Sequence, residues 1–280
     1  MTSPYQEWSL GTGRLGRRVL VYDRLDSTNN LAATLADDPA NDGLAILANE
    51  QTAGRGQHGR TWLAARGQSV LLSLLIVPPL ELCRPAVLTA WAAVAVCKTI
   101  QNTIHQPACI KWPNDVQLHG RKVCGILIES IAGGRAGSRQ RPEEVLGALT
   151  RPRSPYFIVG IGLNIQQSAA TFAAAGLPEA TSLAPFATHP LDTHAVAIDL
   201  IRQLDCDYDA LCQGDLGTLE THWKERLGLL GKQVVAECRD ATHHGRLIEV
   251  SFRGVKLAQS GGPSLVLAPE RIAHLRGTVD

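Results

Sequence analysis

The 280 residues predict an α+β protein in which a large region of alternating strands and helices is followed by a small β-barrel. Three observations carry this. Pro85 to Ile104 is the longest helical pattern and is apolar almost all round, as expected of a helix buried against a sheet. Cys109 to Ser130 reads as a hairpin turning at His119-Gly120, interrupted at Trp112-Pro113 because proline cannot donate to a sheet ladder. After a break at Gly228 to Gly231, four short β runs with glycine turns have the spacing of a compact barrel of about fifty residues, whose expected role is support or docking.

Taken in order, Val19 to Leu25 is β-rich and is followed by DSTNN, where Ser27, Thr28 or Asn29 can cap a helix carrying Leu31 and Leu35. The apolar runs Leu44 to Ala48 and Ser69 to Val77 flank EQTAGRGQHGRTW, residues 50 to 62. There Gly54, Gly56 and Gly59 alternate with Arg55, His58 and Arg60, so the backbone can lie close to a ligand while cations converge on it. That is the chemistry of an anion-holding loop between two strands. No Gly-Lys-Ser/Thr triplet closes it, which excludes a Walker A motif. In the hairpin, Lys111, Asn114, Asp115 and Lys122 are polar groups among apolar strand residues, costly to bury unless paired or used. Gly133 to Arg153 reads as an exposed charged insertion. Tyr156 to Ile165 is a buried strand in which Gly160 and Gly162 permit close approach, though GIGLN is no dinucleotide fingerprint. Residues 166 to 190 are loop-like, and helices are expected over Thr193 to Gln213 and Leu216 to Leu227.

Composition narrows the class of function. The chain is 45% hydrophobic and 19% charged, as in ordinary globular proteins, and its net charge of +1 offers no general attraction to nucleic acid or membrane. MTSPYQEW lacks the features of a secretory signal, and the longest apolar stretch, Ala86 to Val96, is too short to span a bilayer. Seven cysteines without a C-x-x-C pair indicate neither a disulfide framework nor a thiolate zinc site. Buried thiols in a reducing cytoplasm are expected.

In their order and spacing, DSTNN, EQTAGRGQHGRTW, KWPND, RKVCGILIES and VGIGLNI resemble the biotin protein ligases, from about residue 19 to the C-terminus. The resemblance implies a mixed sheet flanked by helices, of the class II aminoacyl-tRNA synthetase type, followed by an SH3-like barrel. The divisions expected are a tail over 1–18, a catalytic domain over 19–229 and the barrel over 230–280. With so few residues before the first strand, the class implied is the one without an N-terminal DNA-binding domain. The implied reaction uses ATP and Mg2+ to convert biotin to biotinyl-5′-AMP, then passes biotin to a lysine of the biotin carboxyl carrier protein of acetyl-CoA carboxylase. DNA and membrane are not expected partners, and a homodimer is left open.

The same resemblance assigns roles. Ser27, Thr28, Asn29 and Gln51 hold the biotin ring, while Gly125, Ile126 and Leu127 wall its body. Lys122 contacts the biotin carboxylate and adenylate. Gly54, Arg55, Gly56, Gln57, His58 and Arg60 embrace the phosphates, Trp62 covers the adenylate, and Asn164 joins that set. Catalytic roles are expected of Lys122, Arg55, Lys111 and Asp115; the last is the candidate base by its own chemistry, because a free lysine is almost wholly protonated at neutral pH and a nearby carboxylate could take its proton as attack proceeds. No metal-ligating side chains are assigned. The sequence departs from the family pattern at Gln57, where many ligases have Arg; Gln keeps hydrogen bonding and loses charge. The alternative is a lipoate or octanoate ligase or transferase of the same fold. A purely regulatory binding protein is disfavoured, since no DNA-reading segment is apparent.

Overall fold

The computed structural model describes residues 3–131, 155–259 and 262–278, with the His58 side chain excepted. The charged stretch Gly133 to Arg153 lies outside the described residues.

Eight strands form the larger sheet: β1 (Gln6–Trp8), β2 (Val19–Leu25), β3 (Ala45–Gln51), β4 (Ser69–Ile76), β5 (Cys109–Lys111), β6 (Asp115–Leu118), β7 (Arg121–Ile131) and β8 (Tyr156–Asn164). Their order is β1-β2-β3-β4-β8-β7-β6-β5. The β2–β3 pair is parallel and the other ladders are antiparallel, so the sheet is mixed. At its centre, β4 is buried on both faces. Val70, Leu72, Leu74 and Ile76 join the large core, and Leu75 joins a smaller one with Ala32. The alternation follows from the two-residue period of a strand.

The helices are α1 (Thr28–Leu35), α2 (Pro85–Ile104), α3 (Ala169–Ala174), α4 (Thr193–Cys212) and α5 (Leu216–Leu227). Helix α1 covers one face of the sheet, while α2 with α4 and α5 covers the other. Pro85 pre-sets the first turn of α2, and His105 ends it at φ +54°. Because sheet, α4 and α5 enclose it, α2 buries Leu88, Trp91 and Ile100 completely. Each such side chain contributes about 1.5–3 kcal/mol on leaving water. This matches the all-round apolar pattern of its sequence.

The last strands are β9 (Gln233–Cys238), β10 (Thr242–Val250), β11 (Val255–Ala258), β12 (Leu265–Leu267) and β13 (Ile272–Gly277), in the order β12-β11-β10-β9-β13. This unit is fastened to the larger sheet through Trp112. Its indole N–H donates to the Ile272 carbonyl at 2.9 Å, and its ring leads through Trp223 to Phe252, with centroids 5.6 and 4.9 Å apart. The tryptophan of KWPND is therefore an anchor for the C-terminal strands.

Three local expectations change. Within the segment expected as a tail, β1 pairs with β2, and the Gly13, Arg14 and Leu15 N–H groups each donate to the Asp205 carboxylate at 2.7 Å. Residues 166–190 are not all loop, because Ser168 caps α3 by accepting from the Thr171 N–H at 3.1 Å. The thiols are not all buried: Cys97 and Cys124 are, whereas Cys109 and Cys206 are exposed. Cys109 belongs to an edge strand and Cys206 to the outer side of α4.

Candidate active site

On the α1 side of the sheet, β4, β8 and β7 present matched rows of residues. One row is Leu71, Gly162 and Gly125; the next is Ser73, Gly160 and Leu127; the third is Leu75, Ile158 and Glu129. Successive rows on one face lie about 7 Å apart. The first carries the Trp62 indole, and a Cβ at Gly162 would collide with its six-membered ring. The second carries the Asn29 amide, which a Cβ at Gly160 would likewise strike. The two glycines therefore make a floor on which larger side chains lie flat, and a cleft opens above them lined also by Lys122, Gln51 and Arg55.

At the Asn29 row Ser27, Thr28, Asn29 and Ser73 are neutral and buried. Ser27 stands at the helix N-cap without a side-chain capping bond, so the junction is not used as a cap. Gln51 Oε1 accepts from the Thr28 N–H at 2.7 Å, and its oxygen lies 3.0 Å from Thr28 Oγ1. Ser73 Oγ is 2.7 Å from Thr28 Oγ1 and 2.5 Å from Asn29 Oδ1. A serine has one proton and the amide oxygen only accepts, so Ser73 donates to Asn29, while the single Thr28 hydroxyl proton is within reach of both Gln51 Oε1 and Ser73 Oγ. The Asn29 amide nitrogen donates to Glu129 Oε2 at 2.6 Å, an oxygen that also accepts from Arg55 Nη2 at 2.8 Å. Nearby, the Asp26 carboxyl is held below the usual carboxylate range, first by the Asn30 amide.

The Trp62 row leads to Lys122, whose Nζ lies 5.8 Å from the indole centroid and 2.6 Å from Asp115 Oδ1. The Lys122 backbone is pinned as well, since its N–H donates to Glu179 and its carbonyl accepts from Thr181, both at 2.8 Å. The loop folds back on itself, with the Trp62 N–H donating to the Gly54 carbonyl at 3.0 Å and Arg55 bridging Thr61. A single 3₁₀ turn spans Gln57–Gly59. Cys124, adjacent in β7, is no nucleophile, because burial pushes its thiol well above its ordinary range.

The Biotin/lipoate A/B protein ligase family matches residues 21–139. The chain is 33% identical over 235 residues to a biotin–[acetyl-CoA-carboxylase] ligase of Paracoccus denitrificans, covering 79% of this chain and 86% of that one. It is 30% identical over 253 residues to the bifunctional ligase/repressor BirA of Bacillus subtilis, covering 90% and 73%. The chain belongs to the biotin protein ligase family. Its fold is that of the biotin protein ligase from Aquifex aeolicus solved in complex with biotin and ATP, at a TM-score of 0.72 and 22% identity over 93% of this chain and 99% of that one.

Most of the residues expected from the biotin ligase resemblance meet in the cleft: Ser27, Thr28, Asn29, Gln51 and Leu127 at one end, then Trp62 and Gly125, then Lys122. Ile126 contributes only backbone, because the strand alternation turns its side chain into the core beneath α2. Lys111 does not line the cleft; in β5 it is Ile110 that faces inward and Lys111 that faces solvent. Asn164 is also set apart, its amide donating to the Thr181 carbonyl at 3.0 Å and accepting from Gln167 at 3.2 Å. Arg55 is paired with Glu129 on the third row and does not stand beside Lys122. Gly56 and Gln57 border the cleft, Gly54 is buried behind Trp62, and Arg60 is exposed on the outer side of the loop.

Sequence reasoning passed over Ser73 and Glu129, and it marked Asn114 as a polar group among apolar residues without giving it a role. Asn114 clamps β7 from KWPND, accepting from the Ile126 N–H at 3.0 Å and donating to the Ile126 carbonyl at 2.8 Å. Ser73 had a visible signal, a hydroxyl in the middle of the apolar run VLLSLLI. Glu129 had a weaker one, a charge closing the strand RKVCGILIESI.

Proposed function

We infer that the chain is an ATP-dependent biotin protein ligase, activating biotin to biotinyl-5′-AMP and transferring the biotinyl group to a carrier lysine. The observation that carries this is the order of groups along the cleft: neutral donors and acceptors at the Asn29 row, the apolar Trp62 row, then the Lys122 ammonium. Biotin has the same order, a ureido ring, an apolar body and a carboxylate. With the ring on Asn29, Thr28 and Gln51, the carboxylate would reach Lys122.

In the first step a carboxylate oxygen attacks the α-phosphorus of ATP and pyrophosphate leaves. Two anions must meet, and Lys122 supplies the positive charge that offsets their repulsion. Asp115 orients it from 2.6 Å away. The Trp62 indole N–H is buried without a partner among the described residues, which suits a ligand bearing acceptor oxygens. The loop backbone and Gln57 would border the nucleotide. Magnesium would enter with ATP, whose phosphates supply the oxygen ligands it prefers. In the second step the carrier lysine attacks the acyl carbon and AMP leaves, with Asp115 as the proposed acceptor of the amine proton. Lys111 is given no part.

The carrier named by relatives is that of acetyl-CoA carboxylase, and it is the acceptor proposed here. Among the described residues no helix is long and apolar enough to cross a membrane, and the net charge of +1 offers no general attraction to DNA; ligation in the cytoplasm without DNA binding is the reading proposed. ATP/pyrophosphate exchange with biotin, lipoate or octanoate tests the substrate. Exchange with biotin alone is expected, and exchange driven by lipoate or octanoate but not biotin would overturn the assignment.

A further inference from the structure

Glu129 has a position that the activity proposed above leaves unexplained. One of its oxygens accepts both from the amide of Asn29, at 2.6 Å, and from the guanidinium of Arg55, at 2.8 Å. These partners come from different parts of the chain, the first turn of α1 and the glycine loop, and they share this carboxylate oxygen. A carboxylate only accepts, so it fixes which way the Asn29 amide faces: nitrogen toward Glu129, oxygen toward Ser73. Without the carboxylate that orientation loses its charged acceptor, and the Ser73 hydroxyl loses the fixed acceptor it has in the Asn29 oxygen. The same oxygen ties Arg55, and with it the loop, to the end of the cleft where Asn29 stands.

We propose that Glu129 is a positioning residue for acid recognition, setting the Asn29 amide for the ring and latching the Arg55 loop over it. This rests on the biotin ligase reading and adds to it a specificity-determining group on β7. The two tasks separate by substitution. Glu129→Gln keeps an oxygen for Asn29 and loses the charge that holds Arg55; Glu129→Ala loses both. Because the contacts precede chemistry, the loss should appear mainly in the KM for biotin and less in kcat.

The test is biotin-dependent pyrophosphate exchange, with KM and kcat measured for Glu129→Gln and Glu129→Ala in the native and Arg55→Ala backgrounds. Glu129→Ala should raise the biotin KM by roughly tenfold or more, the scale of a lost charge-assisted hydrogen bond, and Glu129→Gln by less. In the Arg55→Ala background Glu129→Gln should add nothing, while Glu129→Ala should still raise KM through Asn29. A native biotin KM in Glu129→Ala, or an equal effect of Glu129→Gln in both backgrounds, would overturn the proposal. The near-isosteric Gln variant keeps the test valid should the Ala variant fold poorly. If the unaltered protein exchanges with biotin and these variants match it, only this proposal fails; if it does not exchange with biotin, the functional reading fails with it.

Discussion

Single residues carry the chemistry, and each can be tested alone. Lys122→Ala should lower the rate of adenylate formation by roughly 100-fold, since losing a donor aimed at developing charge costs about 3 kcal/mol; rapid-quench measurement of biotinyl-AMP checks it, and a native rate would remove Lys122 from the mechanism. Gly162→Ala should displace the Trp62 indole from the floor of the cleft. Biotin affinity measured by calorimetry should then fall with little change in fold by circular dichroism. Gln57→Arg should slow adenylate release by roughly ten to a hundred-fold, the range of one added charge-assisted bond, and matching off-rates would show that position 57 does not govern retention. What was legible at this scale was polarity out of place: Lys122 and Asn114 stand among apolar strand residues, and both line the cleft. Lys111 gave the same signal and does not line the cleft, because polarity within a strand does not say which face it occupies. Ser73 and Glu129 stayed hidden because their partners are 44 and 74 residues away in the chain, at Asn29 and Arg55, where no local pattern reaches.

Whole elements decide whether those residues meet. The loop from Gly54 to Trp62 is held by its own backbone bonds and by the Arg55–Glu129 pair, whose guanidinium remains partly exposed. Tryptic cleavage after Arg55 and Arg60 should therefore slow once biotin and ATP are both bound, and equal cleavage with and without them would show that the loop does not close on its ligand. The Trp112 anchor sits beside Asn114 and Asp115, so the C-terminal strands support the cleft itself. Trp112→Phe, which removes one buried hydrogen bond while keeping a ring, should lower stability by about 1 kcal/mol or somewhat more, read as a shift in denaturant midpoint at constant m-value. The turn at His119-Gly120 and the span of α2 were plain in the sequence because each is set by local chemistry. The strand β1 was not, because three residues gain their structure only by pairing with β2.

At the scale of the molecule, periodicity sufficed for the α+β class and for the C-terminal strands, while the mixed order of the eight-stranded sheet is a matter of pairing that no local pattern encodes. That order brings β4, β8 and β7 side by side, and only there do Ser73, Gly160 and Leu127, which are far apart in the chain, become a single row. The central claim is a direction, with a ring at Asn29 and a carboxylate at Lys122. Calorimetric binding of biotin and of its neutral amide, to the native protein and to Lys122→Ala, tests it most directly. The native protein should bind biotin more tightly than the amide, and Lys122→Ala should weaken biotin while leaving the amide nearly unchanged. Equal weakening of both ligands by Lys122→Ala would contradict the orientation on which the account rests.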